Sequence, residues 1–161
     1  MAEGVVSQLG NAPLYKIPRS VLVVIHTVDL HVLLMERAPW PGFWQSVTGS
    51  VDFEDEPLAN AAVREVGEET GIDATLHSLV DWGLENRFQI MNKWRSRYAP
   101  DVTHNLERVF GLTLPARAPV TLAPREHSQF VWMPYLEAAE KCFSWSNRDA
   151  ILMLPQRARR V

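Results

Sequence analysis

The chain has 161 residues, 47% of them hydrophobic and 22% charged, with a formal net charge of −3. That size and balance suit one globular domain with a sizeable core, and they give no overall attraction toward a nucleic-acid polymer or an anionic membrane. The single cysteine, Cys142, excludes an internal disulfide and points to a reducing, cytoplasmic setting, while the longest apolar run, VLVVI at 21–25, is far too short to span a bilayer.

Residues 1–14 show neither helical nor strand periodicity and are expected to form a poorly ordered lead-in to a single domain over 15–161. SVLVVIHTV (20–28) and HVLLMER (31–37) are rich in β-branched and apolar residues and meet at Asp29-Leu30, which predicts a hairpin. Pro39, Pro41 and Gly42 then impose a loop before a short strand, FWQSV (43–47), that ends at Thr48-Gly49. The acid-rich DFEDE leads into a helix from Pro57 to Thr70, stopped by Gly71. Further strands are expected over 74–84, 86–92, 93–98, 106–114 and 128–133. PYLEAAEKC reads as a short helix, and Ser146-Asn147 reads as the cap of a terminal helix running toward Arg157. Strands dominate, one helix interrupts them and others close the chain, so the expected class is α+β, a mixed sheet covered by helices.

Charge is spread unevenly along this order. From Asp52 to Glu69 there are seven acids against Arg64 alone, a net of −6, which leaves +3 for the rest. At ~100° per residue Glu65, Glu68 and Glu69 share one arc of the predicted helix, while Ala59, Ala62, Val63 and Val66 fill the neighbouring arc. Like charges at this spacing repel by roughly 0.2–0.5 kcal/mol per pair, and the helix C-terminus disfavours anions further. A solvated helix face is the ordinary reading of a glutamate cluster. Carboxylates left nearly unpaired at that end fit instead a hard divalent cation such as Mg²⁺, which takes a partial oxygen shell and keeps room for phosphate oxygens.

The stretch GSVDFEDEPLANAAVREVGEETGI (49–72) resembles the signature box of the Nudix hydrolases through Gly49, Glu56, Arg64, Glu65, Val66, Glu68, Glu69, Gly71 and Ile72. It carries one extra residue between Gly49 and Glu56. The resemblance implies an α-β-α sandwich and hydrolysis of a pyrophosphate linkage in a small triphosphate. It implies Mg²⁺, with Mn²⁺ as a possible substitute, held by Glu65, Glu68 and Glu69. Arg64 would orient these carboxylates, and Glu56 would support the loop and Arg64. FWQSVTGSV, RYAPDVTHN, Glu126-His127 and WSNRDAI are similar to the branch of the family that acts on 7,8-dihydroneopterin 3'-triphosphate, which implies that Glu126 reaches the metal site from outside the box. A pyrophosphatase acting on dNTPs such as dATP is the alternative within the family, and a ligand sensor without turnover is the alternative outside enzymes. The oligomeric state is left open.

For the rest of a substrate site, KWRSRY read as a strand puts Lys93, Arg95 and Arg97 on one face, where Arg97 in particular could grip phosphate; a charge-guarded edge strand explains the same pattern. Arg37, ahead of the loop into FWQSV, is a second phosphate candidate. A flat polar ring needs an apolar face, for which Trp40, Phe43, Trp44, Trp94 and Tyr98 are candidates, and fixed polar contacts, for which Gln45, Ser46 and Asn147 are. His127 would point away from Glu126 in an extended segment and reads as a satisfied histidine.

Overall fold

The computed structural model describes residues 15–158, so the expected lead-in lies outside the described residues. The element order is β1 (Arg19–Thr27), β2 (His31–Arg37), β3 (Trp44–Gln45), β4 (Val47–Ser50), α1 (Leu58–Thr70), a 3-10 turn (Ala74–Leu76), β5 (Ser78–Gln89), a second 3-10 segment (Asn92–Arg97), β6 (His104–Leu114), β7 (His127–Pro134), α2 (Tyr135–Lys141), α3 (Trp145–Leu152) and α4 (Leu154–Ala158).

Every residue of β1 from Ser20 to Thr27 is buried, as a strand covered on both faces requires. Val21, Val23 and Ile25 point into a core shared with Ala61, Ala62 and Val66 of α1. Leu22 and Val24 point the other way, against Ala138, Ala139, Ala150, Ile151 and Leu154 of the C-terminal helices. Each fully buried aliphatic side chain contributes about 1.5–3 kcal/mol, so two such layers on one sheet make the α-β-α sandwich. The sheet is mixed, because β1 runs parallel to β6 and antiparallel to β2 and β4. Gly111 of β6 leaves room for the Trp82 indole: a Cβ there would lie 2.5 Å from its Nε1. Gly111→Ala is therefore expected to destabilise by about 1–3 kcal/mol through overpacking, read as a lower urea midpoint at unchanged m-value.

One irregularity of the sheet positions the site. Strands β1 and β2 pair at their hairpin end, His26 with Val32, and then part. The chain from Trp44 to Ser50 fills the opening: Trp44 and Gln45 pair with β2, Ser46 crosses over, and Val47–Ser50 pair with β1. The segment 43–47 is thus two short strands on different neighbours. Ser46 at the crossing is fully buried.

Three other expectations are corrected. The stretches at 74–84 and 86–92 belong largely to one long strand, β5, which bulges between Asp81 and Leu84 where Gly83 takes φ 67°; residues 74–76 form a 3-10 turn instead. KWRSRY is not a strand: Trp94 N–H donates to Met91 O and Tyr98 N–H to Arg95 O, the i→i+3 bonds of a 3-10 helix. Alternating basic residues satisfy either geometry when no apolar partner row sets the period. The terminal helix breaks at Met153, since Pro155 has no N–H and its ring clashes with the carbonyl four residues earlier. Its cap is Ser144, whose Oγ accepts from Asn147 N–H at 3.3 Å, so Ser146 and Asn147 lie inside the first turn.

Candidate active site

Helix α1 starts after Pro57 and closes where Gly71, left-handed at φ 74°, donates its N–H to Gly67 O at 2.9 Å. The apolar stripe that seats it on β1 and β4 fixes its rotation, and that rotation turns the glutamates toward the fork. Gly49 of β4 lies directly beneath Glu65: a Cβ there would sit 2.0 Å from Glu65 Cδ. The carboxylate rests on bare backbone. Glu69, 3% exposed, accepts from Thr48 N–H at 3.2 Å. Burial pushes the Glu65 carboxyl up to about 7, against the pull of Arg64, and pushes Glu69 well above the usual carboxylate range. Glu68 is exposed on the same rim.

Arg64 organises the cluster. Its Nη1 donates to Glu65 Oε1 at 2.8 Å and reaches Glu68 Oε2 at 3.5 Å. Its Nε and Nη2 donate to both Glu56 oxygens at 3.1 and 3.0 Å, and Nη2 also to Ser50 O at 3.2 Å. Glu56 is held below the usual range by Arg64 and closes its loop by accepting from Asp52 N–H at 2.7 Å. The extra residue of the box is absorbed in the exposed 52–55 stretch, and Glu56 still reaches Arg64.

A cleft of about 500 Å³ runs along this rim, lined by Arg64, Glu65, Glu68 and Glu69 and, on its far wall, by Glu126 and His127. Glu69, Glu126 and His127 each offer a ligand atom within 4.8 Å of the others. The turn at 124–126 ends on Glu126, so strand alternation does not separate it from His127, and both reach the cleft. His127 is not the satisfied histidine expected. It is buried, neither ring nitrogen has a hydrogen-bond partner among the described residues, and burial, reinforced by Arg37, lowers it to about 4, leaving a neutral imidazole with a free lone pair. Buried carboxylates short of cations, beside an unpartnered imidazole, suit a divalent metal.

A second chamber of about 270 Å³ opens behind the first, between β1, β6 and the start of α3. Its walls are apolar at Leu22, Ile90, Trp94 and Phe143 and polar at Asn105, Glu107 and Asn147. Lys16, Arg37 and Arg97 border both chambers. Arg37 stacks 4.7 Å from the Trp94 ring centroid and donates to Gln45 Oε1 at 3.2 Å, while its buried Nε has no partner among the described residues. Desolvation and then Arg97 hold Arg37 below its ordinary value, and the same two causes lower Lys16. Three crowded cations, one with a spare donor, are prepared for an anion. The 3-10 segment is tied here by Lys16 N–H donating to Arg97 O at 2.8 Å.

The structure thus brings Arg64, Glu65, Glu68, Glu69, Glu126, Arg37 and Arg97 to one cleft, with Tyr98 on the adjoining chamber. Four expected substrate contacts are corrected: Trp40 and Phe43 line neither chamber and pack instead against one another and against Trp94, Phe43 also against Phe143, and Trp44 and Ser46 are also displaced. Trp44 lines neither chamber; it packs in the second core with Lys141 Nζ 4.6 Å from its ring centroid. Ser46 lies behind the wall, where its N–H donates to Asn147 Oδ1 at 2.8 Å and its Oγ accepts from Asn147 Nδ2 at 2.9 Å, so it positions Asn147. Lys16, Asn105 and Glu107 were not predicted. Glu107 had a signal: in HNLERVFGL it falls on the same strand face as the core residue Val109.

The NUDIX domain model matches residues 16–154, nearly the whole described chain. The chain belongs to the Nudix family. Among curated Nudix relatives, dihydroneopterin triphosphate diphosphatase of Escherichia coli K12 is 44% identical over 140 residues, covering 85% of this chain and 91% of the relative. The enzyme of the same name from Haemophilus influenzae is 37% identical over 140 residues, covering 85% and 87%. The solved structure of the E. coli dihydroneopterin triphosphate pyrophosphohydrolase superposes with a TM-score of 0.81 at 43% identity, covering 91% of this chain and 99% of that one. The Nudix box is therefore the α1 rim described above, and among the described residues no helix is long and apolar enough to cross a membrane.

Proposed function

We propose that the protein is an Mg²⁺-dependent pyrophosphohydrolase converting 7,8-dihydroneopterin 3'-triphosphate to the monophosphate and pyrophosphate. The observation that carries this reading is the pair of joined chambers, an acidic cleft and a ring-sized pocket, with Lys16, Arg37 and Arg97 at their junction. A triphosphate whose head is a flat polar ring fits that order of charges, and both curated relatives bear the name of this activity.

Phosphoanhydride hydrolysis is largely a matter of positioning and charge. Glu65, Glu68, Glu69 and Glu126, with His127 beside them, would hold the dication, which when bound neutralises phosphate oxygens and makes water a better nucleophile. Arg64 keeps Glu65 and Glu68 facing the cleft, and Gly49 lets Glu65 lie flat on β4. One carboxylate of this set accepts the proton of the attacking water. Lys16, Arg37 and Arg97 bind the non-bridging oxygens, and the Trp94 and Phe143 side of the inner chamber takes the ring and excludes water from it.

Because Arg97 is exposed, Arg97→Ala is expected to change stability by less than about 0.5 kcal/mol, yet to raise KM for the triphosphate roughly tenfold with a smaller effect on kcat. Steady-state kinetics beside a melting curve checks both. The substrate assignment is tested by kcat/KM on dihydroneopterin triphosphate and on dATP: a clear preference for the pterin is expected, and equal or reversed preference contradicts it.

A further inference from the structure

The inner chamber contains a group that phosphate chemistry does not use. Glu107 sits on β6 in register with Ser20 of β1 and Asn86 of β5, 5% exposed, and lines the chamber. Among the described residues its Oε1 has no hydrogen-bond partner. Among the described residues no lysine, arginine or histidine pairs with it, although Arg37 and Arg97 line the same chamber. Two residues along the same face, Asn105 turns its Nδ2 to Ser20 Oγ at 2.8 Å and leaves its buried Oδ1 without a partner as well. Two buried acceptor oxygens therefore belong to residues that line one cavity, with Leu22, Ile90, Trp94 and Phe143 among its apolar walls and the cations Lys16, Arg37 and Arg97 at its border with the acidic cleft. Buried acceptors are normally paired, so this arrangement is completed by donors that arrive with a ligand.

We infer that Glu107 is the residue that reads the ring, its carboxylate accepting the two adjacent N–H donors, ring N3–H and the exocyclic 2-amino group, of a 2-amino-4-oxopyrimidine edge. The inference rests on the pterin reading above and deepens it. A carboxylate offers two parallel acceptors, and a 2-amino-4-oxo ring presents two parallel donors at matching spacing. Adenine presents one donor beside one acceptor, so against an ionised carboxylate one of its contacts is repulsive. Specificity of this kind is strong, because a wrong ring leaves a buried charge unpaired. Burial pushes the Glu107 carboxyl up to about 7, with Ser146 and Asn86 pulling the other way, so a ligand carrying two donors settles it in the charged form near neutrality.

The test uses Glu107→Gln, which keeps the shape and replaces one acceptor by a donor. Free 7,8-dihydroneopterin, which carries the ring and no phosphate, is titrated into both proteins by its fluorescence; at least tenfold weaker binding to the variant is expected. In turnover, the ratio of kcat/KM for dihydroneopterin triphosphate over dATP is expected to fall by roughly 10²-fold, a change that simple loss of folded protein cannot produce because it scales both substrates together. Equal loss on both substrates, with ring binding unchanged, overturns the role of Glu107 and leaves the pterin reading standing. Failure of the wild type to hydrolyse the pterin triphosphate overturns that reading instead, and ring binding then decides on Glu107 alone. Should the variant not fold, the wild type is compared on the substrate and its 2-desamino analogue: a loss of tenfold or more supports the pairing, and equal kcat/KM overturns it.

Discussion

Glu69→Gln is expected to lower kcat by roughly 10³-fold while leaving the fold intact or firmer in the absence of metal. The two halves of this result have one cause. Glu69 is almost wholly buried, and among the described residues the one hydrogen bond of its side chain is the one it accepts from Thr48 N–H, which a glutamine oxygen accepts equally well. Its carboxyl is raised well above the usual range by burial and then by Glu65 and Glu126, so the ionised form is a cost to the folded chain. A raised folded-state value means that the native protein holds more protons than the unfolded one over the interval between the two pKa values, and stability falls as pH rises through it. Glu65, raised to about 7, acts in the same direction. The metal-free wild type should therefore melt at lower temperature at pH 8 than at pH 5.5 as far as these two groups decide it, and glutamine at 69 should weaken that dependence. Near-normal turnover at saturating Mg²⁺, or a melting temperature that drops sharply on substitution, would remove Glu69 from the proposed ligand set.

Gly49→Ala should produce the second large effect, at a residue that performs no chemistry. The added methyl would meet the Glu65 carboxyl carbon at 2.0 Å, with both carboxylate oxygens within 2.4 Å. Something must yield: either Glu65 swings off the strand or α1 lifts from β4. Swinging is easier, since among the described residues Glu65 is held at its tip by Arg64 alone, whereas α1 is anchored by Ala61, Ala62 and Val66 in the core. Overpacking of this kind costs about 1–3 kcal/mol, and a misplacement of about 1 Å at a reacting centre costs ~10² in rate. The expected result is kcat/KM down by 10² or more in a protein that still folds, with weaker metal binding. Activity within about threefold of wild type would show that Glu65 does not need its place on β4.

These two residues also illustrate what the sequence made legible. The helix from Pro57 to Thr70 could be placed because its apolar stripe, Pro at the start and Gly at the end agree with one another, and once it is placed the glutamate arc follows from 3.6 residues per turn. β1 was legible for the same reason, as an unbroken apolar run that only a strand covered on both faces can use. KWRSRY was not, because local charge alternation sets no period without a core to face. Trp44 was misplaced for a related reason: aromatic type says that a side chain will be buried, and topology decides on which side. His127 and Ser46 depend on pairings made far away in sequence, the one with Arg37 at the end of β2 and the other with Asn147 of α3, a hundred and one positions on. No local pattern carries that information.

The central claim is that an acidic rim gathers a dication and applies it to one anhydride of a pterin triphosphate. ³¹P NMR of dihydroneopterin triphosphate with the purified protein tests it directly. With Mg²⁺ the account predicts dihydroneopterin monophosphate and pyrophosphate in equal amounts and no early orthophosphate, and with EDTA it predicts no conversion above the uncatalysed rate. Orthophosphate as first product, turnover that persists in EDTA, or no turnover with Mg²⁺ would contradict it.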